Sequence, residues 1–439
     1  MESRRTQIAW SLGDGSRHPS SAGARLEGRR GDRAIHGIAN SLLFLSILVM
    51  WALFHSDLGG PGSIYNTVNV ALIGVFLLLN REFNHGLVRA FAVPVVFLAM
   101  SVVGNIGILG SGSYRAALAT AIGYALFTLK PVPLHRPLLR RLIIVFLISI
   151  LVLSVIVAAE RSALDFSGGN INFNRNPNGA SLFFVGCTLL SLALVQGWRG
   201  WMLAVPFVLL TVTTGSRAGA VVTALILIGH SMFSQAEGRQ HKSRGLLLRM
   251  SSNWKVWAVV ALVAVLAIWL IPDAVNYLIA RFEIGESRSE QWDEGWAAIR
   301  SLRGLLIGGG PATLGVDTGI AAHSSYIEAI GNCGVWFLVT TLIALGFWLR
   351  RLVRDGCRDL LWIVPPVLVY GLVENILFNG ISSLWLLIML LGIAVQSRQS
   401  SLDVAERAGS GGGVPARHAL SRQLVTANMT SGSPIRDDR

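Results

Sequence analysis

Charge is the first thing this sequence lacks. Only 14% of its 439 residues are Asp, Glu, Lys or Arg, against 52% hydrophobic, and the mean hydropathy is +0.57. Soluble domains carry about 25% charged residues, so the deficit argues against a water-soluble fold and for a polytopic membrane protein. Cysteine is also scarce. Cys187 and Cys333 lie in apolar segments and Cys357 in a basic loop; none falls in a segment assigned outside, so no disulfide is expected. The outer segments hold no His-x-x-x-His or Cys-x-x-Cys spacing and no Asp-x-Asp pair. Nothing therefore demands a metal or other cofactor, although Glu283, Glu286, Glu290, Asp293 and Glu294 are available to one. Lysine is nearly absent and arginine supplies most of the positive charge. No apolar run precedes residue 34, which argues against a secretory signal peptide.

What is present is a series of long apolar runs. A membrane helix needs about 20 such residues. Twelve segments qualify: 34–54, 64–80, 86–103, 114–129, 141–159, 180–196, 199–213, 216–233, 254–272, 326–349, 359–379 and 383–396. The expected fold class is all-α, a polytopic membrane helix bundle of about twelve helices. One large loop, 274–325, separates the ninth from the tenth. Residues 1–33 and 397–439 are polar and read as disordered tails around a membrane domain of 34–396.

Charge placement sets an orientation. With the N-terminus inside and the segments alternating, the inner parts hold 29 of the 37 Lys and Arg and the outer parts eight. The formal net charge of +13 thus belongs to one face, where anionic lipid favours it. Nucleic acid is not needed to explain it. Both termini are then expected on the inner, cytoplasmic side and the large loop on the outer side.

Three polar motifs then fall at outer helix starts. Asn174-Arg-Asn-Pro-Asn-Gly179 precedes the sixth helix, Thr214-Gly-Ser-Arg-Ala-Gly219 opens the eighth, and His323-Ser-Ser-Tyr-Ile-Glu328 opens the tenth. A helix N-terminus presents free N–H groups and about half a positive charge, so each is a candidate anion site. Each motif also has a purely structural explanation. Asn-Pro-Asn-Gly makes a turn with helix-capping residues. Gly215-x-x-x-Gly219 makes a small-residue packing face. Ser325-x-x-Glu328 matches a capping box. Arg217 fits none of these, because an arginine near the membrane core is costly. His323, just before a positive helix end, would be held neutral, as a general base requires.

The long loop has its own pattern. Arg288, Trp292 and Trp296 recur every four residues, so 286–303 reads as an amphipathic helix with Trp292, Trp296 and Ile299 on one face. Arg281, Arg288, Arg300 and Arg303 are candidate phosphate contacts. Gly308-Gly-Gly310 before Pro311 reads as a turn, since no Lys-Ser/Thr follows as in a P-loop.

With these motifs in this order, the sequence resembles the O-antigen ligase and polymerase family of bacterial membrane glycosyltransferases. The similarity rests on Asn176-Pro-Asn178, Thr214-Gly-Ser-Arg217, Ser287-Arg288 with Trp292, the Gly-rich turn before residue 312, and His323-x-x-Tyr-Ile-Glu328. It spans about residues 34–396. Relatives often carry His-Asn where this chain has His323-Ser324. The resemblance implies transfer of a glycan from a polyprenyl-pyrophosphate-linked donor to an acceptor hydroxyl at the periplasmic face. No nucleotide sugar and no cofactor take part. The acceptor is another glycan for a polymerase and lipid A–core for a ligase, and the sequence leaves both open. The implied catalytic residues are His323, Arg217 and Arg288. The implied substrate-binding residues are Arg175, Asn176, Asn178, Ser216, Arg281, Tyr326 and Glu328. The alternative is a twelve-helix secondary transporter or an export component.

Overall fold

The computed structural model describes residues 21–55, 62–160, 177–195, 197–233, 292–293, 296–297, 299–311, 324–374 and 384–410. Helices dominate, and the only extended pairing among the described residues is one isolated bridge, Phe83 to Leu129. The first eight helices are α1 Ser21–His55, α2 Gly62–Leu79, α3 His85–Gly104, α4 Ser111–Phe127, α5 Arg136–Glu160, α6 Pro177–Leu190, α7 Gly197–Thr213 and α8 Arg217–Phe233. A single π-turn, Ser191–Val195, continues α6. After the long loop come α9 Leu302–Ile307, α10 Ser325–Cys333, α11 Val335–Arg354, α12 Leu360–Tyr370 and α13 Leu384–Ser410.

Four stretches are long and apolar enough to cross a membrane: Ala34–His55, His85–Gly104, Arg136–Ile156 and Val335–Arg354. Shorter apolar helices fill the spaces among them. Their outward faces are apolar too. On α5, Val145, Ile148, Val152 and Val155 are all exposed, and their 3–4 spacing makes one stripe along the helix. On α11 the exposed residues include Trp336, Ile343 and Phe347. Such apolar outward faces suit a membrane-embedded protein.

The core is aromatic. Phe127 stacks on Phe91 at 4.9 Å and meets the edges of Trp348 and Trp385 at 4.8 and 5.2 Å. This ties α3, α4, α11 and α13 together. Trp51 stacks on Phe183 at 5.6 Å, joining α1 to α6. All three cysteines, including Cys357, are buried and none is in a disulfide.

Helix ends gather into two layers. In one, Asn40 of α1 and Asn80 beyond α2 exchange amide hydrogen bonds at 3.0 and 2.9 Å. Arg351 donates to Asn84, the cap of α3, at 3.0 Å. Arg398 pairs with Asp359 at 3.0 Å, and Arg136 donates to the Ser397 carbonyl at 2.7 Å. The starts of α3, α5 and α12 and the ends of α2 and α11 thus meet at one basic surface. The opposite layer holds the end of α3, α9, α10, the starts of α6 and α8, and the end of α12.

Several expectations change. Helix α1 begins at Ser21 and α13 runs to Ser410, so part of each polar tail is helical rather than disordered. Ala, Arg, Leu and Glu in both stretches are good helix formers, and each extends a helix already nucleated. The tenth segment is broken: α10 ends at Cys333, Gly334 takes φ +87°, and α11 starts at Val335. The eleventh stops as a helix at Tyr370 and continues as a turn to Glu374. The ninth segment, 254–272, lies outside the described residues.

The break has a physical cause. A helix end leaves carbonyls unsatisfied. Gly309 N and Gly310 N donate to the Gly331 and Asn332 carbonyls at 2.8 and 2.9 Å, and Ser101 Oγ also donates to Asn332 at 2.8 Å. The glycine run is therefore a turn that seals α10. A Cβ at Gly308 or Gly334 would strike backbone across this contact, and both glycines have φ near +80°.

Candidate functional site

The site forms where three helix starts meet the end of α12. At α8, the chain leaves α7 through Thr214-Gly215-Ser216, with Gly215 at φ +66°. Thr214 Oγ1 donates to the Thr211 carbonyl at 2.7 Å and accepts from Ser216 N at 3.3 Å. The buried Ser216 hydroxyl accepts from Gly219 N at 3.2 Å, which caps the helix. Arg217 is the first residue of α8 and is half-buried. Gly219 then touches α6: a Cβ there would overlap the Ser181 hydroxyl. The Gly215-x-x-x-Gly219 pair thus does two jobs, one turn and one close helix contact.

Ser181 links onward. Its hydroxyl lies 3.2 Å from that of Tyr370, the fully buried last residue of α12. Beyond Tyr370 the turn Gly371–Glu374 receives α10. Ser325 N donates to the Gly371 carbonyl at 2.9 Å, and Ser325 Oγ to the Glu374 carbonyl at 2.7 Å. Tyr326 donates its phenol to the Leu368 carbonyl at 2.7 Å. Glu328 and Glu374 are both buried, at 3% and 6% exposure. In this way α6, α8 and α10 are fastened to the end of α12 by serine and glycine contacts, two tyrosine hydroxyls and backbone.

Of the candidate residues from the sequence, Ser216, Arg217, Tyr326 and Glu328 belong to this cluster of elements. Asn178 lies in the first turn of α6, which reaches the same cluster through Ser181. Arg175, Asn176, Arg281, Arg288 and His323 lie outside the described residues. The Ser325/Glu328 capping box is not formed. Ser324 is the cap residue and makes no side-chain cap bond, and Ser325 is already helical with its hydroxyl on Glu374. One residue of register moves Glu328 past the position a capping box needs.

The described loop residues also correct the sequence. Residues 292–293, 296–297 and 299 are helical, and Ser301 Oγ caps the separate helix α9 by accepting from Gly304 N at 2.9 Å. The 286–303 helix therefore does not run through to Arg303. Ile299 is buried and Trp292 half-buried, whereas Trp296 is 47% exposed, so the three do not share one buried face. Arg303 donates to the Gly104 carbonyl at 2.6 Å and to Asn105 Oδ1 at 3.2 Å. It closes the C-terminal end of α3, where a cation is favoured.

Sequence reasoning missed Ser181 and Tyr370 as joining residues. Nothing in either apolar segment marks them. Glu374 did carry a signal, because an ionisable residue inside a membrane segment is a functional candidate by default. Among the described residues, no three His, Cys, Asp or Glu side chains gather as a metal site would need. No family model matches this chain, and neither a curated protein nor a solved structure does.

Proposed function

We propose that the protein is a membrane glycosyltransferase of the O-antigen ligase or polysaccharide polymerase kind. It transfers a polyprenyl-pyrophosphate-linked glycan to an acceptor hydroxyl at the periplasmic face of the inner membrane. The observation that carries the proposal is the fastening of the α6, α8 and α10 starts to the end of α12, with Arg217 opening α8. Three positive helix ends and a guanidinium on one side favour a doubly charged leaving group such as pyrophosphate. Arg217, with Arg288, would stabilise that group as it leaves. His323, directly before the cap residue of α10, would take the acceptor proton. The twelve-span frame belongs to the same proposal, with both termini cytoplasmic and 274–325 periplasmic.

A transporter would use a broken helix to line a substrate cavity near the bilayer midplane. The break at Gly334 instead has its carbonyls engaged by Gly309, Gly310 and Ser101, which favours the enzyme. The deciding experiment is the polysaccharide profile of a null strain. Single repeats left on the carrier identify a polymerase, and full-length chains stranded on the carrier identify a ligase. A profile with neither defect sinks the proposal. A periplasm-only reporter should be active when fused at Ser287 and silent at Gln240; the reverse pattern overturns the orientation.

A further inference from the structure

The basic layer contains a cavity that the proposed transfer reaction does not use. It lies between the start of α5, the π-turn after α6 and the middle of α13, and it encloses about 330 Å³. Arg136, Arg140 and Arg398 line it, and no acidic residue does. The remaining wall is largely apolar and includes Leu134, Leu194 and Val395. The π-turn adds a residue to one helical turn and so bulges the helix at Ala193 and Leu194, which border the cavity.

Two of the arginines, Arg136 and Arg398, are held in place. Arg136 donates one Nη to the Ser397 carbonyl at 2.7 Å, while its Nε is buried and meets no acceptor in the protein. Arg398 is oriented by Asp359 at 3.0 Å. Arg140 is exposed, one helical turn beyond Arg136. Three guanidinia around one cavity repel each other, and an anion between them removes that cost. Guanidinium forks match phosphate oxygens. The apolar wall and the exposed stripe Val145, Ile148 and Val152 further along α5 suit the hydrocarbon part of an amphiphile.

We propose that this cavity binds a phosphate group, that of an anionic membrane lipid headgroup, between Arg136, Arg140 and Arg398. Basic pockets between membrane helices are suited to such headgroups. The site is separate from the cluster at the opposite layer, so its occupancy is measured without any transfer assay.

The test uses the purified full-length protein in neutral detergent. The unfolding midpoint is followed while phosphatidylglycerol, phosphatidylcholine or soluble glycerol phosphate is added. Phosphatidylglycerol should raise the midpoint saturably and phosphatidylcholine should not. Each lost arginine should weaken apparent binding by about fivefold. Arg140→Gln is the safer variant, because Arg140 is exposed and its loss leaves the Arg136–Ser397 bond intact; Arg136→Gln with Arg140→Gln should be weaker still. Arg350→Gln with Arg354→Gln, exposed on α11 outside the cavity, should bind as the unaltered protein does. Equal binding by Arg140→Gln and the unaltered protein overturns the site, as does an equal loss in the α11 variant, which would mean diffuse surface attraction. Glycerol phosphate alone matching the lipid would overturn the lipid assignment.

Discussion

The two ends of the bundle are held together in different ways. At the basic end, long side chains reach across gaps: Arg351 to Asn84, Arg398 to Asp359, Arg136 to Ser397, and the Asn40–Asn80 amide pair. At the other end, the close contacts are made by serine, glycine and backbone, Gly219 on Ser181, Ser325 on the Glu374 carbonyl and Gly309 on Gly331, with the longer reaches left to Arg303 at the end of α3 and the hydroxyls of Tyr326 and Tyr370. Side-chain clamps fix positions but occupy the charged groups that make them. Contact through glycine, serine and backbone fixes the starts of α8 and α10 with uncharged groups. On the proposed reading, the comparison makes position at a helix start, and not arginine number, the mark of the reacting end.

The largest expected effect tests whether the end built from helix starts is the reacting end. His323→Ala and His323→Gln should each lower turnover by about 10²–10⁴-fold with purified lipid-linked donor and acceptor. Donor binding and thermal stability should stay close to those of the unaltered protein. Near-normal turnover in His323→Gln would falsify the base assignment, since an amide accepts no proton at neutral pH; Glu328 is then the first residue to test. Next in size is Arg217. Arg217→Ala should cost about 10²–10³-fold, as loss of one group stabilising developing charge does. Arg217→Lys should recover little, because an ammonium lacks the planar fork. Full activity in a well-expressed Arg217→Ala protein removes the distinction between the two ends.

A third effect falls on architecture. Gly219→Leu forces α8 away from Ser181 on α6, and such overpacking costs about 1–3 kcal/mol. Gly346→Leu, on α11 where a Cβ meets nothing within 4 Å, is the matched control. Unfolding midpoints compare the two. If both variants unfold alike, close contact is not what holds this end.

How much of this was legible beforehand depends on the kind of force involved. Apolar length located the helices, because burial in lipid needs it, and α8 starts within a residue of the expected 216. Small-residue spacing marked Gly215-x-x-x-Gly219 as a packing face, and Gly219 does pack on Ser181 of α6, whereas the turn at Gly215 with φ +66° was not read. The break at Gly334 was hidden, because it depends on the glycine run more than twenty residues earlier in the chain lying against it. The capping box failed on register: Ser324 is the cap residue and Ser325 is already helical, its N–H and hydroxyl donating to the Gly371 and Glu374 carbonyls, which are remote in sequence. Arg303 read as a phosphate contact because its partners, Gly104 and Asn105, are about two hundred residues away. Local signals survived, and long-range backbone partners did not show.

The smallest effect is also the most discriminating, and it concerns Tyr326. The resemblance implies that it is a substrate contact, yet its phenol donates to the Leu368 carbonyl at 2.7 Å. That bond ties α10 to α12 and makes Tyr326 one more fastening of this end. Tyr326→Phe keeps the ring and removes only the hydroxyl. An interhelical hydrogen bond in a membrane bundle contributes about 0.6 kcal/mol on average, so the unfolding midpoint should fall slightly. If the hydroxyl acts only as a fastening, KM for the lipid-linked donor should stay unchanged and kcat should shift by less than about threefold. A rise in KM with no change in midpoint would make the hydroxyl a substrate contact instead. Ser325→Ala is the partner experiment, because its hydroxyl donates to the Glu374 carbonyl in the turn that follows α12. If both variants lower the midpoint and leave KM alone, α10 is held by its backbone-directed hydroxyls, and recognition of the donor falls to Arg217 and the helix starts.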